Sequence, residues 1–189
     1  MQIQFKFQPE KAVAVMGYIL ARLGPTDRVK LMKIIYLADR EHFIRTGIPI
    51  TGDRQCAMDY GPVPSQCLNL LGDASPLPRD YVFRYLHLNF RVELREPPAF
   101  DLLSDSERAV LDDVTTRNGP TDVWKLVRET HKLPEFAESF VEGTSRPIPY
   151  ERIAAHSNNE NRFRHGRMVI SAEAGARIDC PLPPADPDL

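Results

Sequence analysis

The residues whose types and spacing could do chemistry lie close together at Asp39, Glu41 and His42. On a helix, residues three positions apart share a face, so Asp39 and His42 could act as an acid–base pair or as two metal ligands. Zinc sites usually need three or four ligands, and no second strong cluster of histidine, cysteine or carboxylate residues supplies the others. The pattern favours a solvated helix face or a salt-bridge network over a catalytic or metal site.

The usual fingerprints of enzymes are absent from the sequence. It contains no glycine-rich phosphate loop of the Walker or dinucleotide type and no Gly-x-Ser-x-Gly elbow. His87 and His131 stand alone, which is typical of histidines that make structural hydrogen bonds. We therefore predict that the protein is not an enzyme and has no catalytic residues, cofactor or metal.

Composition narrows the class of partner. The 189 residues include 24 Lys and Arg against 26 Asp and Glu, with 42% hydrophobic residues. These values are typical of one globular domain. Nucleic-acid-binding proteins usually carry a basic excess, so DNA is not the expected partner. No window approaches the roughly 20 apolar residues that cross a bilayer, and the start lacks the apolar core of a signal peptide. We expect a cytoplasmic protein with no membrane partner.

Periodicity and capping signals predict the elements that position these residues. Apolar residues recur at helical spacing in two long segments, and the first of them ends at Gly24-Pro25, where glycine permits a cap and proline cannot continue a helix. Thr26 and Asp27 offer N-cap oxygens to the second. The first 71 residues are predicted to form a short strand at 1–9, a helix over 12–23, a second helix from 28 to about 46, a short strand at 55–60 between loops, and a short helix over 65–71.

In the second half of the chain, the spacing of the apolar residues changes twice, first to that of a strand and then back to that of a helix. Residues 81–93 alternate between apolar and polar side chains, which predicts a half-buried strand. Ser104 and Glu107 have the spacing of a capping box and predict a helix to about residue 118. An amphipathic helix is predicted over 123–131, with Val123, Trp124, Leu126 and Val127 as its apolar residues. The remaining predictions are a proline-interrupted stretch at 131–140, an edge strand at 168–171 and a polar extension at 154–189 that is disordered from about 179. The fold class is mainly α with a small antiparallel β-sheet (α+β), in a single compact domain.

The most specific feature is an ordered run of motifs between residues 30 and 64. A helix containing Lys30-Leu31-Met32-Lys33-Ile34-Ile35-Tyr36-Leu37-Ala38-Asp39 leads to Thr51-Gly52-Asp53 and then to Tyr60-Gly61-Pro62-Val63-Pro64. The glycines allow backbone angles that other residues resist, and the prolines fix the direction of the chain. Tyr60 is therefore expected to be held in one place beside the second helix.

The order of these motifs closely resembles the Panacea domain, the antitoxin domain that includes the SocA type and occurs widely in bacteria and their phages. Members typically show a Lys-Leu-x-Lys-x-x-Tyr-x-x-Asp helix, a Gly-Asp element and a Tyr-Gly-Pro-Val turn, and this chain has all three. The Leu103 to Glu107 helix start and the His131-x-x-Pro-x-Phe stretch also look like the family, which often has tryptophan where Phe136 stands. The resemblance covers roughly residues 11–153, and we predict the domain at 1–153.

The resemblance implies an antitoxin that binds and neutralises a cognate toxin encoded by the adjacent gene, with phage defence as a setting and without a cofactor. Some SocA-type relatives are described as adaptors that deliver the toxin to a Clp-type protease, and the tail ending at Leu189 could serve such a delivery. Two alternatives from the residues stay open. Arg162, Arg164, His165 and Arg167 form a basic patch that would suit a DNA-binding autorepressor. An enzyme would be favoured if Tyr36, Asp39, Tyr60 and His131 converged in one cleft. A homodimer also stays open.

The candidate partner-binding residues lie on the second helix, the Gly-Asp element, the tyrosine turn and the His131 stretch. They are Lys33, Tyr36, Asp39, Arg40, Asp53, Tyr60 and His131. Within the second helix, we assign Leu31, Ile34 and Ile35 to the core. We expect Lys33, Asp39, Arg40 and Asp53 to be exposed, because charged side chains are seldom fully buried.

Overall fold

The computed structural model describes residues 3–72, 83–86 and 90–157, with the backbone alone at 83–86. The helices are α1 (Pro9–Leu23), α2 (Arg28–Thr46), α3 (Ser65–Leu70), α4 (Asp105–Asn118), α5 (Val123–His131), α6 (Pro134–Ala137) and α7 (Tyr150–Ala155). The strands are β1 (Thr26–Asp27), β2 (Gln55–Met58), β3 (Gly61–Pro64), β4 (Phe83–Leu86), β5 (Arg91–Leu94) and β6 (Arg146–Pro147). The predicted class, mainly α with small antiparallel sheets, is confirmed.

α2 is the central element of the fold. Of its residues only Arg45 and Thr46 are exposed. Leu31, Ile34 and Ile35 pack with α1 and α4 in one apolar cluster, which confirms their assignment to the core. The other side of α2 contributes to a second cluster, whose buried members are Tyr36, Phe43, Ala57, Phe136, Ile148, Tyr150, Ile153 and Ala154. A helix enclosed on both sides in this way must also bury its polar residues.

The predicted helix ends are confirmed where capping residues satisfy backbone groups. The Asp27 carboxylate accepts hydrogen bonds from the amides of Val29 and Lys30 at 2.7 and 3.3 Å. Gly47 closes α2 in the left-handed conformation, with φ of 84°. At the start of α4, the capping box predicted from Ser104 and Glu107 is present.

Two three-stranded antiparallel sheets flank the helices, in the orders β1-β5-β4 and β3-β2-β6. The predicted short strand at 55–60 is β2, which ends at Met58, and residues 61–64, predicted as a loop, form β3; the two strands pair as a hairpin with Cys56 opposite Val63. The predicted strand at 81–93 is two strands, β4 and β5, with Phe90 at a φ of 52° immediately before β5. Alternation of apolar and polar residues predicts an extended segment but does not show where one strand ends and the next begins.

The predicted strand at 1–9 is wrong, since residues 3–8 pair with no neighbouring strand. Their alternation has another cause: Phe5 stacks edge-on against Phe43 and Tyr150, with ring centroids 5.9 and 4.9 Å apart. Gln8 donates its amide to the carbonyl of Thr51 at 3.1 Å. An extended segment that covers the core with alternate side chains therefore produces the same sequence pattern as a strand.

The C-terminal predictions lie largely outside the described residues. These include the edge strand at 168–171, the basic patch at 162–167 and the disorder from about 179. The division at residue 153 stays a prediction, and α7 runs across it with Ile153 and Ala154 buried. Within the described part of the chain, no helix is long and apolar enough to span a membrane.

Candidate functional site

Most of the predicted partner-binding residues are inside the protein. Lys33, Asp39 and Asp53 are buried and Arg40 is half-buried, so the expectation that these four are exposed is wrong. The physical reason is that α2 crosses the centre of the fold. Charged side chains reach the interior when they satisfy backbone or side-chain groups that would otherwise be buried without a partner.

Asp39 fastens the segment after α2 to the helix. Its Oδ1 accepts a hydrogen bond from the Thr51 amide at 2.9 Å. Its Oδ2 accepts one from the Thr51 hydroxyl and one from Gln55 Nε2, the latter at 3.1 Å. Burial raises the pKa of Asp39 to about 7, although the hydrogen bonds from Thr51 oppose the shift.

Asp53 holds the start of α3. Its carboxylate oxygens accept the amides of Gln66 and Cys67 at 3.0 and 2.7 Å, which are donors that the helix itself leaves unsatisfied. Tyr150 donates its hydroxyl to the Asp53 carbonyl at 2.9 Å. Gly52 before it has a φ of 68°, and a Cβ there would lie 2.3 Å from a backbone oxygen of residue 6. The Gly-Asp motif is therefore a tight backbone crossing.

Lys33, on α2, holds the tyrosine turn at residues 60–64 by a buried hydrogen bond. Its Nζ donates to the Pro62 carbonyl at 2.9 Å, and burial lowers the pKa of Lys33 to about 7. Gly61 has a φ of 94°, and a Cβ at this position would lie 3.0 Å from both Lys33 Cε and Thr130 Oγ1. Only glycine fits there, because the start of β3 lies directly against α2 and α5.

Tyr36 and Arg40 bind a carboxylate that the sequence analysis missed. The Tyr36 hydroxyl donates to Glu135 Oε1 at 3.1 Å, and Arg40 Nε donates to the same oxygen at 2.5 Å. Burial, followed by the charge of Glu135, raises the pKa of Tyr36. Glu135 is completely buried and connects α2 to α6. The sequence signal was its position inside the His131-x-x-Pro-x-Phe stretch.

His131 belongs to an aromatic stack. Its ring lies 4.6 Å from the Phe136 ring, at an interplanar angle of 28°, and Phe136 stacks in turn on Phe140 at 5.1 Å. Burial and then the charge of Lys33 lower the pKa of His131. Its Nε2 is buried and has no hydrogen-bond partner among the described residues. His131 therefore packs beneath the turn and does not present a free imidazole to a partner.

Tyr60 is the one predicted residue that lies clearly on the surface. It is 40% exposed, and its ring meets that of Trp124 at 5.8 Å in an edge-to-face arrangement. Trp124 is 53% exposed. We call these two residues the aromatic pair. Among the described residues, the Tyr60 hydroxyl and the Trp124 indole N–H make no hydrogen bond, so both polar ends are available to a partner.

Trp124 is a functional candidate that the sequence analysis missed, because it was counted among the apolar residues of an amphipathic helix. The sequence nevertheless contained a pattern that places Trp124 outside the buried stripe of this helix. Val123, Leu126, Val127 and Thr130 follow the i, i+3, i+4, i+7 pattern of a buried stripe, and Trp124 lies beside that stripe. The structure buries Leu126, Val127 and Thr130 and leaves Trp124 exposed.

The residues whose convergence would have favoured an enzyme have separate partners. Tyr36 binds Glu135, Asp39 binds Thr51, Tyr60 meets Trp124 and His131 stacks on Phe136. A cavity of about 170 Å³ between α2, α4 and α5 is lined by none of the seven predicted residues. Within the described residues, no group of histidine, cysteine and carboxylate side chains could hold a metal ion.

Comparison with known proteins identifies one family. The family model described as antitoxin SocA-like, Panacea domain, matches residues 31–136. The match begins on α2, includes the β2–β3 hairpin and α5, and ends at Phe136 in α6, so it contains every candidate residue named above. No curated protein and no solved structure gives a significant match.

Proposed function

Because the chain belongs to the antitoxin SocA-like, Panacea domain family, we propose that it neutralises a cognate toxin by binding it directly. The toxin is the product of the adjacent gene, and the complex forms in the cytoplasm. The observation that carries this proposal is the aromatic pair on the surface of the matched region. Tyr and Trp are enriched at the centres of protein interfaces, where their rings are buried and their polar ends find partners.

The motif residues support the binding surface from within. Lys33 binds the Pro62 carbonyl beneath the turn, and Gly61 brings the hairpin against α5. Asp59, at the outer end of the turn, accepts the Gly143 amide at 2.8 Å. Tyr60 is thus attached to a backbone held from both sides. A rigid anchor loses little conformational freedom on binding, which favours affinity.

We further propose that the protein acts without catalysis. Six of the seven predicted residues have structural partners inside the protein, and an antitoxin that blocks its target needs a complementary surface and no reaction chemistry.

The experiment that tests the proposal of direct neutralisation is co-expression of the chain with the adjacent gene product. Growth measures neutralisation and co-purification measures binding. Rescue of growth with a stable complex supports direct neutralisation. An inert adjacent product that forms no complex contradicts the proposal for that pair.

Delivery to a protease gives a different result in the same experiment. Growth would be rescued while the toxin protein disappeared, and the toxin would return in a host that lacks Clp-type proteases. That outcome would replace sequestration by the adaptor mechanism.

The aromatic pair provides the sharper test. Replacing Trp124 with Ala removes an exposed ring at the proposed centre of the interface, and truncating such a residue typically costs about 2 kcal/mol or more of binding free energy. We expect the Trp124→Ala variant to lose at least about tenfold in affinity for the toxin and to lose growth rescue. Leu102→Ala is the matched control. Leu102 is an apolar residue with a similar exposed fraction, 48%, and it lies outside the β2–β3 hairpin and α5, which hold the aromatic pair. Equal affinity of both variants and wild type would show that the toxin binds elsewhere.

A further inference from the structure

The surface that holds the aromatic pair also carries two cations on α5. Lys125 and Arg128 are exposed, and the described residues give neither of them a side-chain hydrogen bond or an ion pair. Arg128 follows Trp124 by four positions, and residues four apart on a helix share a face. A tyrosine, a tryptophan and an arginine therefore lie on one surface, and these are the residue types most enriched among interface hot spots.

The carboxylates close to this surface already have partners. Asp59 accepts the Gly143 amide at 2.8 Å, and Asp122 caps α5 by accepting the amides of its second and third residues at 3.0 and 3.1 Å. Glu129 forms a salt bridge with Lys132 at 2.8 Å. Within the described part of the chain, Lys125 and Arg128 form no salt bridge or side-chain hydrogen bond, although the charges of both help to lower the pKa of Glu129.

We propose that the aromatic pair is covered by a protein with an acidic face, whose carboxylates meet Lys125 and Arg128 around an apolar pocket for the Trp124 ring. This inference rests on the proposed function, because it assigns the chemistry of the toxin at the same surface. The planar guanidinium of arginine matches a carboxylate with two parallel hydrogen bonds. The unused indole N–H and the tyrosine hydroxyl complete a set of donors directed at acceptors on the partner.

Single-stranded nucleic acid also uses aromatic rings and cations, but the charges here fit it poorly. A bound strand needs a continuous basic groove along its phosphates. Asp59 directly precedes Tyr60, Asp122 caps α5 and Glu129 follows Arg128 on α5, and the whole chain has a net charge of -2. These carboxylates would repel the phosphates of a bound strand, whereas a protein partner can place its own acidic residues opposite the two cations alone.

The test is a charge reversal in the full chain, Arg128→Glu, with Lys6→Glu as the matched control. Lys6 is an exposed cation on the segment before α1, so its reversal makes the same change in net charge outside α5. The dissociation constant for the purified adjacent gene product is measured by titration calorimetry at low and at moderate salt. We expect Arg128→Glu to weaken binding by about tenfold or more, Lys6→Glu to change it by less than about twofold, and salt to weaken wild-type binding.

The outcomes separate this inference from the proposed function. If wild type binds and Trp124→Ala does not, while Arg128→Glu binds normally, the acidic partner is excluded and direct neutralisation stands. Equal losses for Arg128→Glu and Lys6→Glu would reduce the effect to net charge and overturn the inference.

Tight binding of a fluorescent single-stranded oligonucleotide that Arg128→Glu abolishes, with toxin binding unchanged, would assign the surface to nucleic acid. No binding by wild type removes the proposed function for this partner, and the inference with it. Thermal melting confirms that each variant is folded.

Discussion

At the scale of single residues, the motif that marks the family binds the protein's own backbone. Asp39 and Asp53 each accept backbone amides from segments distant in sequence, and Lys33 donates to a buried carbonyl. Moving a charged group out of water costs free energy, and a folded protein tolerates that cost where the group makes hydrogen bonds that its buried partners need. These residues are therefore needed by the loops that they hold, and in the proposed complex the contact with the partner falls to neighbouring residues such as Tyr60.

Asp39 permits a direct test of this structural role. The Asp39→Ala variant leaves the buried amide and hydroxyl of Thr51 without their acceptor, so we expect a loss of about 2 to 4 kcal/mol in the free energy of unfolding. Urea denaturation at neutral pH measures it. Asp101→Ala is the control at an exposed aspartate, where the expected change is within about 0.5 kcal/mol. A cost as small as that of the control would show that Asp39 does not fasten the loop.

At the scale of elements, the β2–β3 hairpin connects the buried motif to the surface. Its turn lies between α2, which supplies Lys33, and α5, which supplies Thr130 and Trp124. Because both helices contact the same glycine, a change in the spacing of these elements should reach the Tyr60 ring. The proposed binding surface therefore depends on three packed elements and not on one segment.

Gly61→Ala tests that coupling. The added methyl would contact Lys33 and Thr130 at 3.0 Å in a backbone conformation that disfavours side chains, so we expect a loss of about 2 kcal/mol or more in stability and a displaced turn. Trp124 is the only tryptophan in the chain, and its fluorescence emission should therefore shift. Gly24→Ala is the control, because Gly24 also has a positive φ, of 68°, but has no atom within 4 Å of the added methyl. It should lose stability without a shift in emission, and the same shift in both variants would contradict the coupling.

At the scale of the whole molecule, the free energy of unfolding depends on pH through two buried side chains on α2, Asp39 and Lys33, and their contributions change with pH in opposite directions. The pKa of Asp39 rises from 3.8 to about 7 on folding, so the folded chain binds more protons between these values and stability falls as pH rises through them. The pKa of Lys33 falls from 10.5 to about 7, so the unfolded chain binds more protons above 7 and stability rises with pH there. Together these two contributions are least favourable near pH 7.

Lys33→Met isolates the second contribution. One proton bound only by the unfolded chain gives a slope of up to about 1.4 kcal/mol per pH unit. We therefore expect the free energy of unfolding to rise more steeply between pH 7 and 8 in wild type than in Lys33→Met, as measured by urea denaturation at several pH values. The comparison of slopes cancels groups that both proteins share, such as the buried Cys67, whose pKa burial raises. Identical slopes would mean that Lys33 keeps its ordinary pKa in the folded protein.

The sequence by itself determined the helix ends and the family. The caps at Asp27 and Ser104 and the end of α2 at Gly47 could be predicted, because they depend on residues within one helical turn. The order of the motifs from Lys30 to Pro64 identified the family, since short motifs in a fixed order are rarely matched by chance. The apolar core residues of α2 were also correct, because helical periodicity reports burial.

Only the tertiary structure decided which polar residues are buried. Nothing local distinguishes Asp39 inside the protein from Asp101 on its surface, because burial depends on elements that pack from elsewhere in the chain. For the same reason Trp124 appeared to be a core residue and Glu135 was overlooked, although the first meets Tyr60 on the surface and the second binds Tyr36 in the interior. Contacts between distant segments set the exposure of each side chain, and with it the surface that a partner can reach.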